Sequence, residues 1–192
     1  MSEEQDAVAT YGRALGFEVR RRTIIVEGTT DVELFTFAAK LELAATGTDL
    51  MDGFAIIAAG EGDAGGTHGV IRELVAFRGI ARTVLQPNGL PKYRFAALFD
   101  NDPAGKFAVK SLQALDHSII ECKDVFRLRP IMPMPKNLDP TSLCAALEAK
   151  NANHRALDWE IEDLLPKDVA EAFLAERPKK ASATSLDRRS SA

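Results

Sequence analysis

Long apolar runs are missing from this 192-residue chain: nothing in it approaches the ~20 consecutive residues that a membrane-spanning helix needs. The amino-terminal stretch MSEEQDAVATYGR is acidic and polar, where a secretory signal would be basic and then apolar. Both absences lead us to expect a cytoplasmic protein with no membrane partner. Cysteine is scarce too. Cys122 and Cys144 are too few for a disulfide framework or a four-cysteine zinc site, so they read as buried or idle thiols and speak against zinc-stapled nucleic-acid enzymes. The three histidines, His68, His117 and His154, stand at no recognised ligand spacing, and the two tyrosines, Tyr11 and Tyr93, carry no context that marks a nucleophile. What is present is ordinary for one globular domain: 46% hydrophobic and 27% charged residues, enough for a sizeable core.

The net charge of −4 is unevenly spread. From residue 177 onward five cations face one carboxylate, so the tail carries +4 and residues 1–176 carry −8. That tail, PKKASATSLDRRSSA, is rich in serine and alanine and reads as disordered, either a plain solvated terminus or a phosphate-tracking arm. An acidic body attracts phosphate poorly on its own. It binds a polyanion well only if its carboxylates are concentrated on divalent cations.

Strand and helix signals alternate along the chain. A first helix is expected across Glu3–Gly16, followed by the basic triplet Arg20, Arg21 and Arg22 and the β-branched strand TIIV (23–26). The next segment, DVELFTFAAKLELAA, has helical spacing, with Thr30 or Asp31 as its cap. The same grammar recurs twice. Strand Phe54–Ala59, a glycine-rich loop and helix THGVIRELVAFRG form one unit; strand Arg94–Phe99, loop DNDPAG and helix KFAVKSLQAL form the other. A fourth strand falls at Ser118–Cys122 or at Val125–Leu128. PIMPMPKNLDP is broken by prolines, and two helical segments follow, TSLCAALEAK and one around DWEIEDLLPKDVAEAFLAE. This pattern predicts an α/β fold: a mostly parallel sheet of about four strands, helices on both faces, and extra carboxyl-terminal helices. The expected divisions are a lead-in (1–22), the α/β core (23–130), a helical extension (131–176) and the basic tail (177–192).

In such sheets ligands bind beyond the carboxyl ends of the strands, and the carboxylates of this chain gather in those loops. In FDNDPAG, Asp100 and Asp102 follow an apolar strand at i and i+2. Held together they repel unless a hard cation lies between them, and oxygen ligands suit Mg²⁺ or Mn²⁺. The plain alternative is a turn that caps the next helix. Glu27 directly follows strand TIIV, and Asp31 lies four residues on, as a further ligand or only as a helix cap.

VEGTTD followed some seventy residues later by FDNDPAG resembles a TOPRIM domain, the module shared by topoisomerases, bacterial primases, recombination mediators and OLD-family nucleases. The resemblance covers about Thr23 to Arg129 and matches the family's glutamate to Glu27 and its DxD aspartates to Asp100 and Asp102. It implies a Rossmann-like fold that binds Mg²⁺ and acts on phosphodiester bonds of DNA. The chain has no room for the tyrosine-bearing domains of topoisomerases and lacks the zinc cysteines of primases, so it is most similar to the TOPRIM portion of OLD-type nucleases. That similarity implies a second cation held by Asp31 and Glu162 (or Glu160 or Asp163) from ALDWEIEDLLPKDV, which otherwise reads as an amphipathic helix with a solvated acidic face. It also implies a catalytic lysine, Lys136 or Lys106. Because no ATPase domain accompanies the motifs, the resemblance implies a separately encoded ATPase or helicase partner in a bacterial anti-phage system, with a homo-oligomer also open. The rival expectation is a non-catalytic TOPRIM scaffold subunit.

One loop imitates a different chemistry. Gly60–Thr67 has the glycine skeleton of a P-loop, but Gly66 stands where the phosphate-gripping lysine belongs, and Glu61 and Asp63 would repel phosphate. Its glycines fit a tight turn beside the carboxylates, with His68 at the rim. The Arg20–Arg22 triplet suits flanking phosphates, a solvated edge or a partner surface.

Overall fold

A computed structural model describes residues 6–60, 65–132 and 139–176. Its elements run α1 (Ala7–Ala14), β1 (Arg22–Val26), α2 (Thr29–Thr46), β2 (Phe54–Ala58), α3 (Gly66–Ala81), β3 (Arg94–Phe99), α4 (Pro103–Leu115), β4 (Val125–Arg127), α5 (Pro140–Lys150) and α6 (Lys167–Glu176). The four strands form one all-parallel sheet in the order β2-β1-β3-β4. From β1 the chain steps outward to β2; α3 then carries it back to β3, from which it steps the other way to β4. The direction of winding therefore reverses between β1 and β3. That reversal opens a crevice at their carboxyl ends, the usual ligand position in open α/β sheets.

Side-chain alternation divides the core between two faces. Ile25, Ile57, Phe95, Ala97 and Phe99 turn to one side, where α1, α3 and α4 cover them with Val8, Val70, Leu74, Phe77, Val109 and Leu112. Phe77 stacks on Phe95 with ring centroids 4.6 Å apart. On the other side Leu98 and Leu128 pack with Leu34 and Phe35 of α2 and with Trp159, Ile161, Leu165 and Phe173 of the extension. The α/β expectation thus holds, with helices on both faces. Among the described residues no helix is long and apolar enough to cross a membrane.

Two open expectations are resolved and two need correction. The fourth strand is Val125–Arg127, while Ile120–Asp124 forms a tight turn closed by Asp124 N–H on the Ile120 carbonyl, with Cys122 at a left-handed φ of 66°. Helix α2 has Gly28 at its N-cap position, and Asp31 serves that cap from inside the first turn, its carboxylate accepting the Gly28 N–H. The segment around DWEIEDLLPKDV is not one helix: it is a one-turn 3₁₀ helix (Ile161–Leu164), then Pro166, then α6, because proline can open a helix but not sit inside one. The cysteines are not idle thiols. Packing of α5 brings the Cα atoms of Cys122 and Cys144 to 5.8 Å, and the two sulfurs are bonded. A separation of 22 residues carries no hint of that proximity. The tail from residue 177 lies outside the described residues.

Candidate metal centre

Strand β1 ends at Val26, which delivers Glu27 to the crevice; β3 ends at Phe99, which delivers Asp100. The Asp100 backbone amide lies near enough to the Glu27 carboxylate to favour its charged form, so the two strand ends face each other. Thr67, in the first turn of α3, donates its hydroxyl to Glu27 Oε2 at 3.0 Å. The glycine loop supports this contact. Gly66 N–H donates to the Glu27 carbonyl at 3.1 Å, and a Cβ on Gly65 would lie 2.6 Å from the Gly60 carbonyl oxygen. The flanking glycines Gly60, Gly65 and Gly66 thus lie close to one another and to Glu27; residues 61–64 lie outside the described residues.

Asp31 and Asp102 do what the plainer reading asked of them. Asp31 Oδ2 accepts from the Gly28 N–H at 2.9 Å in the first turn of α2, and Asp102 Oδ1 accepts from Gly105 N–H at 2.7 Å as the cap of α4. Capping does not exhaust them. A carboxylate offers about four lone-pair positions. Glu27, Asp31 and Asp100 line one small cavity of about 10 Å³, floored by Leu98, Phe99, Leu128 and Ile161. That is room for roughly one water-sized sphere.

Electrostatics mark the same place. Burial pushes the Glu27 carboxyl above the usual carboxylate range; the charges of Asp102 and Asp31 push the same way, against the hydrogen bonds from Thr67 and the Asp100 amide. Burial also raises Asp31, with the amides of Gly28 and Glu27 opposing it. Among the described residues, no lysine, arginine or histidine lies within ion-pair distance of Glu27, Asp31 or Asp102. Half-buried carboxylates without cations are the oxygen-rich, electron-rich surroundings that suit a hard divalent ion. They do not form a ready-made cage: among the described residues, no three acidic, histidine or cysteine side chains converge on one ligand position.

The remaining expected residues are placed unequally. Lys136 lies outside the described residues. Glu162 follows Ile161, which lines the cavity, in the one-turn 3₁₀ helix, but its side chain is not described. Lys106 pairs with Asp158, 2.9 Å away, and not with Glu27, Asp31 or Asp102. His68 is exposed.

Two residues that sequence reasoning passed over hold the site together. Asn101, between the aspartates, is 1% exposed. Its backbone N–H donates to the Trp159 carbonyl at 2.8 Å, its Nδ2 to the Leu157 carbonyl at 3.4 Å, and its Oδ1 accepts from Arg127 Nη1 at 3.2 Å. The loop bearing Asp100 and Asp102 is thereby bound to β4 and to the extension that carries Glu162. Thr67 is the second. The only sequence signal for either was position: Asn101 inside DxD, and Thr67 closing the glycine loop.

No protein-family model, curated protein or solved structure matches the chain.

Proposed function

We propose that the crevice between β1 and β3 is the centre of a Mg²⁺- or Mn²⁺-dependent TOPRIM-type nuclease that hydrolyses or nicks DNA. One observation carries this reading: Glu27, Asp31 and Asp100 from two βα loops line one cavity, with Asp102 close enough to raise Glu27 further. The VEGTTD and FDNDPAG motifs support it, since the residues that resemble the family's ligands are those the fold brings together.

In this reading Glu27, Asp100 and Asp102 hold the cation, and Asp31 with Glu162 holds a second. Such an ion, when bound, supplies Lewis-acid activation of water and neutralises charge on the phosphodiester. The chain's own groups orient and exclude. Thr67 fixes the Glu27 carboxylate, and Asn101 fixes the aspartate loop. The apolar floor keeps bulk water from the oxygens and so strengthens every charge interaction above it. Lys136 remains the proposed catalytic lysine. A separately encoded ATPase or helicase, a bacterial anti-phage role and a cytoplasmic setting belong to the same proposal.

Supercoiled plasmid incubated with the protein and Mg²⁺ or Mn²⁺ tests it. Nicked or linear product should form, vanish with EDTA, and fall by at least about a hundredfold in Glu27→Gln, since losing even a residue that only hydrogen-bonds to a metal's ligand costs about 10- to 100-fold. Equal cleavage by wild type and Glu27→Gln refutes the site. Metal binding without cleavage would favour the scaffold reading.

A further inference from the structure

The opposite end of the sheet carries a feature the carboxylate site does not use. An open cleft of about 1150 Å³ lies at the amino ends of the strands, between α1, the lead-in to β1, the turn before β2 and the lead-in to β3. Five cations line it, Arg13, Arg20, Arg21, Arg22 and Lys92, against two carboxylates, Glu18 and Asp52. In a chain of net charge −4 that local excess is notable in sign as well as size. Neutralisation within the protein is partial. Lys92 is held by Asp6 at 2.7 Å, and Arg20 reaches Glu18 at 3.5 Å in an exposed pair of little worth. Arg22 lies over the Phe54 ring at 5.6 Å, which leaves its N–H donors available. Arg13 and Arg21 have no carboxylate in ion-pair range among the described residues.

The arginines are presented from a fixed backbone. Thr23, 1% exposed, donates its hydroxyl to the Arg20 carbonyl at 2.9 Å and accepts from the Arg20 N–H at 3.1 Å. This buried clamp sets the course of the chain through Arg21 and Arg22. Guanidinium groups on a preset backbone favour planar, charge-assisted bonds to phosphate oxygens.

We propose that this arginine-lined cleft binds nucleic-acid backbone, as a second contact surface apart from the carboxylates. The choice of nucleic acid among polyanions rests on the nuclease reading; the cleft itself does not. Glu27 stands five residues on from Arg22 along β1, so the two sites lie about 17 Å apart along the strand. At about 3.4 Å per nucleotide along one strand, a substrate that touches both spans at least about five nucleotides.

Fluorescence anisotropy of a labelled 20-nucleotide single strand, in EDTA and at varied salt, tests the proposal without engaging the metal site. Wild type should bind with a Kd on the order of 10⁻⁵ M and a log–log salt slope near −2, as expected for about three phosphate contacts on a single strand. Arg13→Glu with Arg21→Glu should weaken binding at least tenfold at low salt and bring the slope below 1 in magnitude. The matched reversal Lys40→Glu with Lys110→Glu, at exposed positions on α2 and α4, should change affinity less than twofold. Should the first pair melt early, Arg13→Gln with Arg21→Gln gives the same ordering with a smaller loss. No wild-type binding, equal effects of the two reversals, or equal displacement by polyglutamate and by unlabelled oligonucleotide would each overturn the proposal. Arginine-dependent binding with no metal-dependent cleavage would keep the cleft and remove the nuclease; cleavage indifferent to the arginines would do the reverse.

Discussion

At the amino end of the sheet, carboxylates are matched by cations: Asp124 takes Arg78 at 2.7 Å, Asp6 takes Lys92 at 2.7 Å, and Asp116 takes Arg82 at 2.8 Å. At the carboxyl end, Glu27, Asp31 and Asp102 receive backbone N–H groups and one threonine hydroxyl instead. The first arrangement is what stability asks for, because a buried carboxylate is costly until paired. The second leaves carboxylates half-buried: burial raises both Glu27 and Asp31, and at Glu27 the charges of Asp102 and Asp31 add to it. Three carboxylates at the amino end are thus held by cations, whereas among the described residues Glu27, Asp31 and Asp102 beside the winding reversal have none in ion-pair range. The amino end is also held covalently, through Cys122 in the turn before β4 and Cys144 on α5.

The largest effect should come from breaking that covalent hold. Cys144→Ser, or reduction by dithiothreitol, should lower unfolding free energy by about 3 kcal/mol, the loop-closure value for a separation of 22 residues. Denaturant titration measures it. A loss under about 1 kcal/mol would mean that α5 is held by packing alone. Such bonds persist in oxidising compartments and are rare in a reducing cytosol, so the thiol state of the protein taken from cells bears directly on the cytoplasmic proposal.

The second prediction concerns the unbalanced end. Glu27 and Asp31 have folded-state pKa values above their ordinary ones. The folded state therefore binds more protons, so metal-free stability is fullest below the ordinary carboxylate pKa and is lost as pH rises through the raised values. Mg²⁺ or Mn²⁺ should reverse that loss. At a hundredfold excess over Kd the gain is about 2.7 kcal/mol at pH 8, shrinking toward pH 5 as protons compete for the same oxygens. Glu27→Gln should melt later than wild type without metal at pH 8 and lose the metal response; Asp100→Asn should lose the response as well. Thermal melts across pH decide it. If both variants still respond normally to metal, the ion binds elsewhere.

How far the sequence could be read follows from which interactions are local. Strand β3 is legible to the residue, because Phe95–Phe99 is a continuous apolar run that Arg94 opens and a polar turn closes. Glu27, Asp100 and Asp102 are legible because each follows a strand. Strand order, by contrast, depends on which edges meet, and nothing in the spacing says that β1 lies between β2 and β3. Strand β4 has three residues, too few for a period to show, and its true start is decided by the tight turn at Ile120–Asp124. The bond between Cys122 and Cys144 and the anchoring of Asn101 by Leu157, Trp159 and Arg127 join segments far apart in the chain. Such contacts leave no local signature.

The smallest expected effect sharpens the comparison between the ends at its one ambiguous residue. Lys106 sits in the first turn of α4, four residues beyond the Asp102 cap, and is an alternative to Lys136 as the catalytic lysine. Its ammonium lies 2.9 Å from Asp158, with both side chains more than a third exposed. Exposed pairs of this kind contribute at most about 0.5 kcal/mol after screening and side-chain ordering. Lys106→Ala should therefore shift the denaturant midpoint barely beyond error, and Asp158→Ala should do the same. Because Lys106 pairs with Asp158 of the extension and not with Glu27, plasmid nicking should fall less than threefold in Lys106→Ala, whereas Lys136→Ala should abolish it. A loss of a hundredfold or more in Lys106→Ala with stability unchanged would move the catalytic lysine to α4. The pair with Asp158 would then be a resting arrangement that opens when substrate arrives, and Asp158→Ala should raise activity by freeing the ammonium.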